Sequence, residues 1–370
     1  MRYLIFGAGF IAPINTAALL ECGDAEICCI ANRTRKKAEA MRDNLGLSCP
    51  VYTDWREALE KERPDAAVIC VFNDQHREYF SECARRGIHV LCEKPLSNTY
   101  EDCLDMIRER DAYGIRATVL QTQRYGAVLE TAAAYIRAHT EGTSKDAGGP
   151  FAGEEYCSKG DIGALCAVED MMSVHYFWDG RNPWHLDPVR SGGGIVMNYG
   201  VHQLDRVHYM IRTALGGDGN DKAPAAGGKT AEFTGKALIR KPGVDVCSSY
   251  VMMGVTEADV PYTISCSGYC GPSVNEMFLH FQNAAIKCVL SDNGMDRRGV
   301  YVSTGSSFEK LPLLYEDGDG GAEMYAREMR AADAYLRGDA SEAPVPLEWA
   351  AEMVRLCEHI LPEDRKECKT

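Results

Sequence analysis

No run of about 18 apolar residues occurs in this 370-residue chain, which excludes an ordinary membrane-spanning helix. Basic excess is also lacking: the net charge is −14. A phosphate footprint needs a basic face, so neither nucleic acid nor a membrane is an expected partner. The sixteen cysteines lack the spacing of a metal site or a disulfide framework. Cys28 and Cys29 are adjacent in a strand-like run and point to opposite faces. Cys266 and Cys270 have no second pair or histidine cluster, and Cys70, Cys83, Cys92 and Cys288 fall in apolar runs, where cysteine acts as a small hydrophobe. No metal is expected. Repeats and low-complexity segments are missing too. The N-terminal residues Arg2-Tyr3-Leu4-Ile5-Phe6 run straight into a glycine turn, so they read as a first strand rather than a signal peptide. The expectation is a cytoplasmic protein with reduced thiols.

What is there suits a soluble globular chain: 45% hydrophobic and 25% charged residues, with length for two domains. Strand 2–6 is followed by Gly7-Ala8-Gly9-Phe10-Ile11-Ala12, a helical stretch from Ile14 to Cys22, and a second apolar run from Ile27 to Ala31. That order is a dinucleotide-binding βαβ unit with a G-x-G-x-x-A turn. Gly7 permits the tight turn. Gly9 lets the backbone approach a pyrophosphate seated on the helix N-terminus, beside Phe10 and Ile11. Ala12 is small enough for close helix–strand packing.

The end of the second strand bears on the choice of cofactor. An Asp or Glu there meets the ribose hydroxyl in NAD binders. Here the residues are Asn32-Arg33-Thr34-Arg35-Lys36-Lys37, with no carboxylate. Arg33 and Thr34 suit a 2′-phosphate, so NADP is favoured over NAD. Lys36 and Lys37 read as the solvated first turn of a helix from Lys36 to Asn44.

Alternation continues. A short helix begins at Thr53-Asp54-Trp55, and 65–71 is a buried strand with Asn73 and His76 just beyond it, where doubly wound sheets place ligands. Helix Arg77 to Arg86 leads to strand 88–92, then Glu93-Lys94-Pro95, helix Tyr100 to Tyr113 and strand 117–120. Strands alternating with helices predict an α/β fold with a parallel sheet covered on both faces. Downstream, residues 198, 202 and 205 are four and three apart, one face of a helix. The segments 139–160 and 215–229 read as surface loops.

These markers together resemble the glucose–fructose oxidoreductase/inositol dehydrogenase (Gfo/Idh/MocA) family of two-domain, nicotinamide-dependent enzymes. They are Gly7-x-Gly9-x-x-Ala12, Asn73-x-x-His76, Glu93-Lys94-Pro95, Gln123-x-Tyr125, Ser191-Gly192-Gly193-Gly194 and Asn198-x-x-x-His202-x-x-Asp205. The resemblance implies a Rossmann domain over 1–122 and, over 123–370, an α/β domain with a large, mostly antiparallel sheet. It implies that the open face of that sheet makes subunit contacts, in a homodimer or homotetramer. It implies Gly7, Gly9, Phe10, Ile11, Asn32, Arg33, Thr34, Asn73, His76, Glu93 and Lys94 at the cofactor. It puts Lys94, His202 and Asn198 at the chemistry, and Gln123, Tyr125 and His185 with them at the substrate, a plain hinge being the competing reading of Gln123 and Tyr125. His202 would handle the substrate proton and Lys94 would hydrogen-bond the same oxygen.

Two departures carry physical content. Asn198 stands where the family has a carboxylate. A carboxylate would hold the imidazole charged, whereas asparagine orients without adding charge. Trp184-His185-Leu186-Asp187 resembles a Trp-Arg-x-Asp segment with histidine replacing the arginine, so a different polar group meets the substrate. His175 and Tyr176 end a strand-like run and are weaker candidates for the pocket; His208 reads as structural. The implied activity is hydride transfer between nicotinamide and a sugar, cyclitol or related polyol or carbonyl compound. The alternatives are a nicotinamide-dependent glycoside hydrolase working by transient oxidation and elimination, and a non-catalytic sugar or cofactor sensor.

Overall fold

The computed structural model describes residues 1–140, 162–216, 228–239, 244–291 and 297–362. Most of the two expected surface loops, 139–160 and 215–229, lies outside these residues. The chain forms two compact units. One gathers Met1–Thr122, Arg190–Gly192 and Asp317–Arg355; the other gathers Gln123–Val189, Gly193–Glu316 and Leu356–Thr370.

The first unit is built on six parallel strands, β1 (Arg2–Phe6), β2 (Glu26–Ala31), β3 (Val51–Tyr52), β4 (Ala66–Ile69), β5 (His89–Glu93) and β6 (Ala117–Leu120), in the order β3-β2-β1-β4-β5-β6. This is the strand order of dinucleotide-binding sheets. A parallel sheet buried on both faces needs unbroken apolar strands, and Tyr3, Leu4, Ile5 and Phe6 are all fully buried. Helices α1 (Ile11–Leu20), α2 (Arg35–Asn44), α3 (Trp55–Glu62), α4 (His76–Arg85) and α5 (Tyr100–Tyr113) connect the strands. Two of them start on side-chain caps. Asp54 accepts from the Arg56 N–H at 2.9 Å, and Thr99 from the Asp102 N–H at 3.1 Å, each satisfying a donor the helix itself leaves open.

Residues from late in the chain complete this core. Helix α8 (Ala322–Arg337) lays Met329, Ala332 and Leu336 against Tyr3, Ile5, Leu19 and Ile30. Fully burying each larger side chain contributes about 1.5–3 kcal/mol. The Tyr3 hydroxyl donates to Asp333, whose other oxygen accepts from Arg337 Nε at 2.7 Å. The Val345 carbonyl accepts from Val119 N–H and Thr118 Oγ1, which fixes the approach to helix α9 (Leu347–His359) along β6.

The second unit carries an eight-stranded sheet. Its strands are β7 (Leu165–His175), β8 (Thr230–Leu238), β9 (Ser249–Thr256), β10 (Pro261–Ser267), β11 (Tyr269–Phe281), β12 (Ala285–Ser291), β13 (Gly299–Ser303) and β14 (Glu309–Leu311), in the order β14-β13-β12-β11-β7-β10-β9-β8. Only β7 and β10 pair in parallel; the other pairs are antiparallel. The expected parallel sheet and the second, mostly antiparallel one are both present. Burial alternates along β9, the mark of a sheet with one covered face. Helix α6 (Ala127–His139) and helix α7 belong to the same unit; α7 (Val201–Ala214) is buried along nearly its whole length.

Candidate active site

At the end of β1, Gly7 has φ +100°, and a Cβ there would collide with the Cys70 carbonyl. No other residue suits that turn. The Ala8 N–H donates to Asn32 Oδ1 at 3.1 Å, and Asn32 Nδ2 donates to the Thr34 carbonyl at 2.9 Å. Asn32 therefore ties the glycine turn to the end of β2. A Cβ built on Gly9 would meet nothing within 4 Å, so the turn presents open backbone before the N-terminus of α1. Phe10 beside it is 87% exposed, Ile11 begins the helix, and Ala12 is fully buried. This cradle fits a pyrophosphate.

The cations after β2 separate into two kinds. Arg35 is engaged at the Val51 carbonyl, 3.2 Å away, and pairs with Glu39 at 3.7 Å. Arg33 is exposed and makes no hydrogen bond or ion pair among the described residues, and the Thr34 hydroxyl makes no cap bond to α2.

At the end of β5, Glu93 is buried. Its carboxylate accepts from Asn15 Nδ2 at 2.7 Å and from the Lys94 N–H at 3.1 Å. Burial pushes its pKa up, against the pull of the Lys94 charge and these two donors. Lys94 is partly exposed and joined to Pro95 by a cis peptide bond. Asn73 is buried and opens the turn after β4. His76 is fully buried, with Nδ1 2.9 Å from the Pro95 carbonyl and Nε2 3.3 Å from the Val71 carbonyl. In this arrangement His76 joins the turns after β4 and β5. Because β1, β4 and β5 are parallel neighbours, the Gly7 turn and Lys94 leave the same edge of the sheet. Two strand spacings separate them, about 10 Å.

In the second unit, Gly194 has φ +65°, and a Cβ there would sit 2.6 Å from that of Val246. The chain then makes a π turn over Val196–Gly200 before entering α7. Asn198 falls in that wider turn, so the straight α-helical spacing assumed for 198, 202 and 205 does not hold throughout. Asn198 Nδ2 donates to the Tyr176 hydroxyl at 3.4 Å. His202 lies in the first turn of α7 and is 9% exposed.

Around Tyr176 stand residues that sequence reading missed or undervalued. The Arg181 guanidinium sits 3.6 Å above its ring centroid, and Tyr199 and His185 approach it edge-on. His185 itself stacks on Trp184, 3.8 Å between ring centroids. Burial raises the Tyr176 pKa, while Arg181 and the Asn198 amide pull it back. A loop arginine such as Arg181 carries no signature in sequence.

Asp205 is fully buried and holds Arg124 through contacts of 2.8 and 3.0 Å. Arg206 grips Asp170 on β7 through two contacts of 2.6 Å and donates to Gln123 Oε1 at 3.2 Å. Gln123 is thus engaged within the fold, and the Tyr125 carbonyl accepts from the Tyr315 hydroxyl at 2.6 Å. Among the described residues no three His, Cys, Asp or Glu side chains gather as a metal-holding group, and the described cysteines are free thiols.

Comparison with known proteins bears on both units. Residues 1–121 match a family model described as "Oxidoreductase family, NAD-binding Rossmann fold", and residues 154–287 match the "GFO/IDH/MocA C-terminal domain". Among curated relatives, myo-inositol 2-dehydrogenase of Thermotoga maritima is 33% identical over 57% of this chain and 55% of its own length. The 1,5-anhydro-D-fructose reductase of Ensifer adhaerens is 26% identical over 57% of this chain and 56% of its own. The chain therefore spans a little over half the length of these relatives. A levoglucosan dehydrogenase solved with NADH and levoglucosan shares the fold, with TM-score 0.73 and 15% identity over 97% of this chain and 96% of that one. The two family models together take in more than half of the chain, which belongs to the GFO/IDH/MocA family of oxidoreductases.

Proposed function

We propose that this protein is an NAD(P)-dependent oxidoreductase acting on a sugar, a cyclitol or a related polyol or carbonyl compound, and that NADP is its preferred cofactor. The observation that carries the reading is the edge of the first sheet. An open glycine cradle after β1 and a partly exposed lysine after β5 leave the same edge, in a chain whose relatives are named for sugar and cyclitol redox reactions. When bound, the nicotinamide accepts or gives the hydride. The protein supplies the rest. Gly7, Gly9 and the α1 N-terminus hold the pyrophosphate, and Arg33 with Thr34 holds the 2′-phosphate. Glu93, anchored by Asn15, sets the position and charge around Lys94.

In this reading Lys94 donates a hydrogen bond to the substrate oxygen and polarises the carbonyl. His202 takes the hydroxyl proton in oxidation and returns it in reduction. Asn198 orients the substrate through its amide without adding charge. Trp184 and His185 offer a stacked aromatic wall to the ring, with the His185 imidazole as its polar group. Subunit contacts through the exposed face of the second sheet belong to the same reading.

The test is Lys94→Ala, assayed at 340 nm against a panel of sugars and cyclitols with both cofactors. General acid–base and polarising roles carry about 10²–10⁴-fold in rate, so kcat should fall by that order while cofactor binding survives. Near-normal turnover in the variant overturns the role of Lys94. Glycoside cleavage with no net change in nicotinamide absorbance overturns net hydride transfer.

A further inference from the structure

We propose that Arg181 is a substrate-recognition residue and that the protein selects sugars carrying a carboxylate, such as hexuronic or aldonic acids. This deepens the proposed function and rests on it for the identity of the substrate as a sugar.

Among the described residues Arg181 has no counter-ion. Its guanidinium is half-buried and fixed over the Tyr176 ring. Its Nε–H is buried with no acceptor, and no carboxylate lies within ion-pair distance of it among the described residues. The other buried guanidiniums described above are treated differently: Arg124 has Asp205 and Arg206 has Asp170. Scarcity of acid is not the reason, since the chain has 54 acidic against 40 basic residues. Asp179 is two positions away yet makes no pair with it, and Asp187 accepts from the Val189 N–H at 2.9 Å. A partly desolvated cation without its own anion is completed by an anion from outside.

The surroundings say what carries that anion. Tyr176, fully buried, supports the guanidinium from below and takes the Asn198 amide on its hydroxyl. Asn198 and Arg181 are therefore held by one tyrosine. Trp184 and His185 stand beside them as stacked rings. A fixed guanidinium, an amide and an aromatic wall match the carboxylate, the hydroxyls and the apolar face of a sugar acid. One planar fork suits a planar carboxylate; a phosphate dianion would call for further cations than the one found here. The neutral side chain at 198 is consistent with this, because a carboxylate there would compete for Arg181.

The experiment measures binding by isothermal titration, with and without saturating NADPH, and separately follows turnover of the same ligands at 340 nm. Ligands are D-glucuronate, D-galacturonate and D-gluconate, the methyl esters of the two uronates, D-glucose, and glucose 6-phosphate. At least one acid should bind ten-fold or more tighter than its neutral counterparts. Arg181→Met should erase that preference, Arg181→Lys should keep part of it, and Asn198→Asp should weaken acid binding. Equal affinity for acid and ester, a preference that survives in Arg181→Met of unchanged melting temperature, or tighter binding of glucose 6-phosphate than of every acid overturns the proposal. If glucose is oxidised without any acid preference, only this inference falls. If an Arg181-dependent acid preference appears without hydride transfer to any sugar, the oxidoreductase reading falls instead.

Discussion

Arg33 and His76 show how one residue's partners decide what it is free to do. Arg33 has no partner among the described residues, whereas Arg35, two positions on, is engaged by Val51 and Glu39. A charge-assisted hydrogen bond contributes about 1.5–3 kcal/mol. Arg33→Ala should therefore raise the Kd for NADPH about 10- to 100-fold and leave that for NADH unchanged; equal effects on both nucleotides would remove the 2′-phosphate from the account. His76 is the opposite case. Burial, reinforced by the nearby Lys94 charge, depresses its pKa against the pull of the Pro95, Val71 and Leu96 backbone. The folded state then binds fewer protons than the unfolded chain around pH 6.5. Its contribution to stability is present above that pH and is lost as pH falls through the depressed value. His76→Asn keeps a donor for the Pro95 carbonyl and does not titrate, so the drop in urea midpoint from pH 7 to pH 5 should shrink. Identical drops in the two proteins would show that His76 does not titrate on unfolding. Legibility at this scale follows from chain-local cause. The glycine turn could be read because φ and steric demands act within a few residues. Arg181 could not, since Tyr176 beneath it and the missing carboxylate are facts of three-dimensional neighbourhood.

Helix α7 shows the same limit for a whole element. Its place after the triple glycine follows from sequence. Its burial does not: Gln203, Asp205, Arg206 and His208 are polar or charged, and all are buried. Their polar groups are satisfied by residues far away in the chain: Gln203 and Arg206 by Asp170, Asp205 by Arg124, and the Gln203 carbonyl by the Tyr250 hydroxyl. The π turn over Val196–Gly200 was hidden as well, since no residue type encodes it. Consecutive residues 205 and 206 clamp α7 to two separate partners, which fixes its rotation and with it the direction of His202 one turn earlier. Removing one member of a buried ion pair costs about 3–5 kcal/mol. Arg206→Ala should lower the stability of the second unit by that amount, read from urea unfolding followed by tryptophan fluorescence. Arg206→Met, which fills similar volume, also leaves Asp170 without its cation and should cost nearly as much. Arg206→Met with Asp170→Leu should recover most of the loss. A double variant no better than the single ones would mean that the pair itself, rather than the burial of an orphaned charge, sets the cost.

For the molecule as a whole, the covered and uncovered faces of the second sheet pose different problems. The covered face is closed within its own unit. On the other face, Lys236, Val251, Ser265, Met171 and Glu276 lie in one register row across β8, β9, β10, β7 and β11. Thr234, Met253, Thr263, Glu169, Phe278 and Lys287 form the next row, reaching β12. Val251, Met253 and Met171 are each about half exposed. That face mixes methionine, valine and phenylalanine with charged and hydroxyl side chains. Alternation in the sequence marks which residues share a face, but it does not say whether water or a second copy covers the outer one. We expect a second copy, because eight strands of such a face can supply the roughly 1,200–2,000 Å² that a stable interface buries. Met253→Glu puts a charge between Thr234 and Thr263 in the second row, neither of which carries a charge to pair with it. It should shift the protein from dimer or tetramer to monomer in analytical ultracentrifugation while leaving the melting of the isolated subunit unchanged. A wild-type protein that sediments as a monomer at micromolar concentration would assign this face to solvent.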